Sequence, residues 1–187
     1  FAHKSNVYLF GLTKAYGSVV IRRSDDNGRT WSEPKNKSTG LLLEGTYFSA
    51  AVPVVIHNNR IWRTIVKFEK QHSKNIVISA SVDADLLNKD SWSFSNEVSI
   101  HPNSLGGVRD KIYEGNVVAH PIGGLATIAR LDSPTADRAA ILSVSADGQK
   151  NSFDIETGII HFVGGRSKFT VRYDPESALF WAVSNKQ

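Results

Sequence analysis

The stretch AAVPVVIHNNRIWRTIVKFE (residues 50–69) runs an apolar segment, the turn pair Asn58-Asn59 and a second apolar segment in succession. β-Branched and aromatic side chains suit a pleated, half-buried surface, and Asn tolerates the left-handed backbone of a tight turn. The stretch therefore predicts two antiparallel strands joined as a hairpin. The layout returns in EGNVVAHPIGGLATIARLD (114–132), turning at Gly123-Gly124, and in KFTVRYDPESALFWAVSN (168–185), turning at Asp174-Pro175. Each of the first two copies leads through a third strand into a Ser/Asp turn, Ser81-Val82-Asp83 or Ser145-Ala146-Asp147. A fourth apolar segment follows, WSFSNEVSI (92–100) or FDIETGIIHF (153–162).

Further strand signals lie at 6–12, 17–23, 75–82 and 138–145, and only residues 84–90 hint at a helical turn. Short strands with frequent turns predict an all-β fold. Four antiparallel strands in each repeat of about 60 residues is the count for one blade of a β-propeller. Residues 1–45, 46–105, 106–165 and 166–187 then make about three and a half blades, half of a six-bladed ring.

Composition narrows the chemistry. The 187 residues carry 22 Lys and Arg against 18 Asp and Glu, a net charge of +4. The cations are scattered, which predicts no nucleic-acid partner and fits an anionic ligand. The absence of cysteine excludes disulfides, thiolate catalysis and Cys-ligated metals. Histidines 3, 57, 72, 101, 120 and 161 show no metal-ligand spacing, so no metal is expected. The paired glycines lack the pattern of a phosphate loop, and no cofactor is expected. No run approaches 18 apolar residues, so no membrane span is expected. With no methionine, the chain reads as a processed or excised piece whose signal peptide is not present.

The turn after the second strand is SDDNGRTW (24–31). Ser24 and Asp26 can bond the turn's own amides, Gly28 supplies a positive φ, and Trp31 can bury its ring beneath. Ser24, Asp26, Gly28, Thr30 and Trp31 match every defined position of S-x-D-x-G-x-T-W. The chain thereby resembles the sialidase (neuraminidase) superfamily of Asp-box, or BNR-repeat, β-propellers. Degenerate copies stand at Ser81 and Asp83 with Trp92, and at Ser145 and Asp147 with Phe153. The resemblance implies that the box is scaffold, set between the third and fourth strands of a blade and away from the ligand face.

On that implied fold the ligand face is built by strand-1 entries and strand-2 exits. The entries offer Thr46 to Ser49, Asp110 to Glu114 and Arg166 to Lys168. The exits offer Lys67, Glu69, Arg130, Asp132 and Asn185. The segment from Glu114 to Arg130 is similar to the sialidase segment in which a glutamate opens a strand and an arginine closes the next. There the glutamate polarises a tyrosine nucleophile and the arginine grips a substrate carboxylate, which implies catalytic roles for Glu114 and Arg130. Lys168-Phe169 stands where that family carries its tyrosine. Tyr47, Glu69, Asp132 and Lys168 are the candidate substrate-binding residues, with Glu69 and Asp132 also candidates for a second carboxylate. Trp62, Trp92, Trp181 and Tyr173 are expected to pack between strands.

The resemblance implies an exo-glycoside hydrolase of terminal, acidic sugars, with a glycan or glycoconjugate as partner and a secreted, periplasmic or cell-surface location. The alternatives are a non-catalytic carbohydrate-binding propeller and a protein-interaction propeller.

Overall fold

The computed structural model describes residues 1–69, 72–107, 110–120 and 123–185. They form antiparallel sheets that follow one another along the chain, with one 3₁₀ turn at Lys89–Ser91. The first sheet is β1 (Ala2–His3), β2 (Asn6–Leu12), β3 (Val19–Ser24) and β4 (Leu41–Leu43), paired in that order. The second holds β5 (Tyr47–Phe48), β6 (Val55–His57), β7 (Arg60–Glu69), β8 (His72–Ser81) and β9 (Trp92–Phe94), with both β5 and β6 on β7. The third holds β10 (Lys111–Ala119), β11 (Leu125–Asp132), β12 (Arg138–Val144), β13 (Asn151–Ser152) and β14 (Ile159–His161), the last two both on β12. A hairpin of β15 (Thr170–Asp174) and β16 (Leu179–Val183) makes the fourth. No sheet closes into a barrel among the described residues.

The hairpins form where the turn chemistry predicts them. Asn58 and Asn59 take φ of 47° and 56°, the left-handed pair that matches strand twist. One expectation changes. Residues 50–57 are not a continuous strand, because 49–54 leave the ladder between β5 and β6. Arg63 occupies the gap, donating to Ser49 Oγ at 2.6 Å, Ala50 O at 2.7 Å and Val52 O at 3.2 Å. Its guanidinium also lies 5.0 Å from the Phe10 ring, and burial pushes it down to about 10.

Adjacent sheets pack through apolar faces. Trp62, Val77, Val117, Leu125 and Val144 join the second sheet to the third. Tyr8, Val19, Ile21, Leu42, Tyr47, Ile65 and Ile78 belong to the cluster joining the first to the second. Trp62 is fully buried and donates to His57 O at 3.0 Å. Gly148, at φ 74°, lies against that ring, and a Cβ there would come within 2.8 Å of it. Trp92 is buried as expected, whereas Trp181 on β16 is 61% exposed and packs no core. Tyr173 meets Phe180 across the last hairpin at 5.1 Å.

The turn at residues 24–31 folds on itself between β3 and β4. Ser24 Oγ donates to Asp26 Oδ1 at 2.7 Å and accepts from Gly28 N at 2.7 Å. Asp26 also accepts from Arg29 N, Thr30 N and Thr30 Oγ1, and Trp31 Nε1 donates to Gly28 O. The Thr30 amide foremost, then the Thr30 and Ser24 hydroxyls, hold Asp26 down to about 2 from 3.8. A depressed carboxylate stabilises the fold above its unfolded value, and that contribution disappears as pH falls through the folded one. Asp26→Asn should therefore flatten the part of the acid-denaturation curve between about pH 4 and pH 2. An unchanged acid limb in the variant would show that the turn carries none of this dependence.

Candidate functional site

Strand β10 carries an irregularity where the sequence places Glu114. Ile112 pairs with Leu131 and Gly115 with Ala129, so Tyr113 and Glu114 together oppose Arg130. This is a β-bulge, two residues against one, and a bulge re-aims side chains that regular alternation would send to opposite faces. Both neighbours consequently meet the same arginine. Arg130 Nε lies 3.3 Å from Glu114 Oε1, and the guanidinium carbon lies 4.1 Å from the centre of the Tyr113 ring. Glu114 is 4% exposed and its two oxygens make no directed hydrogen bond, nor does Arg130 Nε. Charge and distance, not a bonded fork, therefore hold the pair together. Arg130 Nη1 also reaches Arg166 O at 3.4 Å.

The bulge is held from two sides. Gly115 follows it, and a Cβ there would meet Thr127 Cγ2 at 2.3 Å and Ala129 Cβ at 3.0 Å. Buried side chains of the second sheet bond its backbone: Ser73 Oγ to Ile112 O at 2.8 Å and Asn75 Nδ2 to Tyr113 O at 2.8 Å. The Thr64 hydroxyl donates to Gly115 O and accepts from Gly115 N at 3.2 Å. Backbone groups at the bulge thus keep protein partners.

Aromatic rings from three sheets gather around this point. Tyr113 lies 6.0 Å from Phe68, which stands edge-on to Phe48 at 6.1 Å and to Tyr16 at 5.5 Å. Lys168, entering β15, places its ammonium 5.1 Å from the Phe48 ring, and Lys111 lies 6.0 Å from Tyr113.

The other candidates divide. Tyr47 is 5% exposed within the core, and burial raises its phenol, so its neighbour Phe48 takes the outward position. Glu69 is bound by Lys67 and Lys74, each at 2.6 Å, and Glu97 closes the square at 2.8 and 2.7 Å. Hydrogen bonds from Lys67 and then Lys74 hold Glu69 down to about 2, so it is an anion with its charge committed. Asp132 lies 3.5 Å from Arg166 Nε. Burial, then the Asp132 charge, raises the Tyr113 phenol, the opposite of what a nucleophilic phenolate needs. The structure therefore brings Glu114, Arg130 and Lys168 to one end, seats Tyr47 in the core and ties Glu69 into a surface network.

No protein-family model and no curated protein matches the chain. A solved structure does. It is a protein of unknown function from Dyadobacter fermentans DSM 18053, 16% identical, with a TM-score of 0.56. The match covers 90% of this chain and 45% of that one, so the chain spans less than half of that protein's length. The likeness is one of fold.

Sequence reasoning missed Tyr16 and Phe68 as neighbours of the pair, whereas Tyr113 stood within the strand entry Asp110 to Glu114. Among the described residues no group of His, Asp and Glu is arranged to hold a metal ion, and no helix is long and apolar enough to cross a membrane.

Proposed function

We propose that the consecutive sheets are blades of an Asp-box β-propeller of the sialidase superfamily, and that the Glu114–Arg130 pair belongs to its glycan site. The leading activity is exo-acting hydrolysis of a terminal acidic sugar, with a secreted or cell-surface location. One observation carries the reading: a buried carboxylate, set on a bulge, lies 3.3 Å from an arginine and beside aromatic rings. The self-bonded turn at residues 24–31 supports it.

In this reading Glu114 is the acid/base or polarising carboxylate. Proton transfer between a positioned carboxylate and a substrate oxygen is worth roughly 10²–10⁴-fold. Arg130, with Lys168, holds the substrate's anion. Asp132 is the nearer candidate for a second carboxylate, because its 3.5 Å contact with Arg166 is looser than the ion pairs around Glu69.

A second reading, non-catalytic glycan binding, draws on one feature. Both Glu69 and Asp132 are engaged by cations, and the Tyr113 phenol beside the pair is raised. The full-length protein assayed on fluorogenic exo-glycosides, sialosides and uronides included, separates the two. Turnover that falls by on the order of 10²–10⁴-fold in Glu114→Gln supports hydrolysis. Turnover indifferent to Glu114 overturns that assignment, and sugar binding without turnover favours the second reading.

A further inference from the structure

The turn between β2 and β3 presents a largely exposed aromatic ring at the edge of the cluster beside the Glu114–Arg130 pair. Tyr16 has φ of 56°, in the left-handed region that bulky residues rarely occupy, and the residue is 56% exposed. The turn fixes it there. Gly17 N donates to Lys14 O at 2.9 Å, Thr13 N to Ser18 O at 3.0 Å, and Ser18 N to Thr13 Oγ1 at 3.1 Å. Gly17 itself is tightly placed, since a Cβ would lie 2.5 Å from Thr13 Oγ1. Strained backbone and an exposed ring both work against stability, and such outliers collect where a ligand makes use of them.

The surroundings define that ligand. Tyr16 is the outermost of four rings, 6.1 Å from Phe48 and 5.5 Å from Phe68, which in turn lies 6.0 Å from Tyr113. Lys111, Arg130, Arg166 and Lys168 are set against the two carboxylates Glu114 and Asp132. Among the described residues Lys111 and Lys168 rest on ring faces with no ion pair. A surplus of cations at the edge of an apolar ring cluster complements an anion joined to a flat apolar ring.

The geometry points to an aromatic platform for the second ring of an anionic glycoside, with Tyr16 setting the preference for a flat apolar face. This assignment rests on the reading of the Glu114–Arg130 pair as a glycan site. The anion lies toward Lys168 and Arg130, and the adjoining sugar face or aromatic aglycone stacks on Tyr16 and Phe48.

The test compares methyl with phenyl α-sialosides, and methyl with phenyl β-glucuronides, as ligands of the full-length protein carrying Glu114→Gln. Binding is followed by calorimetry and by the fluorine signals of 3-fluorotyrosine, with Tyr16→Phe assigning one of them. At least one phenyl glycoside should bind roughly two- to tenfold tighter than its methyl counterpart, the weight of one aromatic contact, and shift the Tyr16 signal. Tyr16→Asn removes the ring while suiting the left-handed backbone. It should abolish the preference with an unchanged or raised melting point. Equal binding within every pair, an unmoved Tyr16 signal or no binding at all would overturn the platform. Turnover that depends on Glu114 without a phenyl preference removes the platform and leaves the hydrolase reading in place. A phenyl preference without turnover does the reverse.

Discussion

Trp62→Ala is expected to lower stability by about 3–5 kcal/mol, the cost of emptying a large, fully buried aromatic site. The ring is 0% exposed and lies between the second and third sheets, with Val77 beside it on the second and Val117, Leu125 and Val144 of the third in the same cluster. Its Nε1 satisfies His57 O, and Gly148, which lies against the ring, has no side chain with which to fill the vacated space. Relaxation is therefore limited and the cavity persists. For a chain of this size each kcal/mol moves the thermal midpoint by roughly 2–4 °C, so a fall of about 6–20 °C is expected. Calorimetry on the purified variant checks it. A shift of under about 2 °C would mean that the two sheets do not share this ring.

Arg130→Met is expected to cost about 3–5 kcal/mol at pH 7, the penalty for removing one member of a buried ion pair. Glu114 is 4% exposed, has no directed hydrogen bond, and is paired with Arg130. Without the guanidinium its charge is left in a dry site. Glu114→Gln alone should cost less, because Arg130 is 21% exposed and can turn toward water. The double variant Glu114→Gln/Arg130→Met should recover most of the loss, since neither charge is then stranded. The coupling read from urea midpoints of the four proteins decides the matter. Additive single effects would mean that the two groups, 3.3 Å apart, do not depend on one another.

The pair also shows what reading a sequence reaches. Glu114 and Arg130 were legible as partners because they stand at the open ends of two strands joined by a tight turn. Antiparallel pairing must bring such ends together. The bulge between them was not, since it depends on Thr127 and Ala129 of the facing strand leaving no room for a Cβ at position 115. Tyr47 and Phe48 illustrate a second limit. Neighbours on a strand face opposite sides, and register decides which one enters the core. Pairing of Tyr47 with Lys67 and Phe48 with Val66 seats the first and turns out the second. Glu69, paired with His72 at the end of its hairpin, lost its availability to Lys67 and Lys74, the two cations it shares with the distant Glu97.

The sequence by itself determined most of the strands, the hairpin at Asn58-Asn59 and the turn at residues 24–31, because every bond of that turn lies within eight residues and that hairpin is written in its two left-handed asparagines. Tertiary structure decided which side chains became the site. Tyr16, Phe68 and Tyr113 come from the first, second and third sheets, and Thr64, Ser73 and Asn75 support a strand some forty to fifty residues away. Such meetings depend on how sheets pack face to face. A local pattern of apolar and polar residues records that each face is buried, but not which residue of the next sheet it will meet.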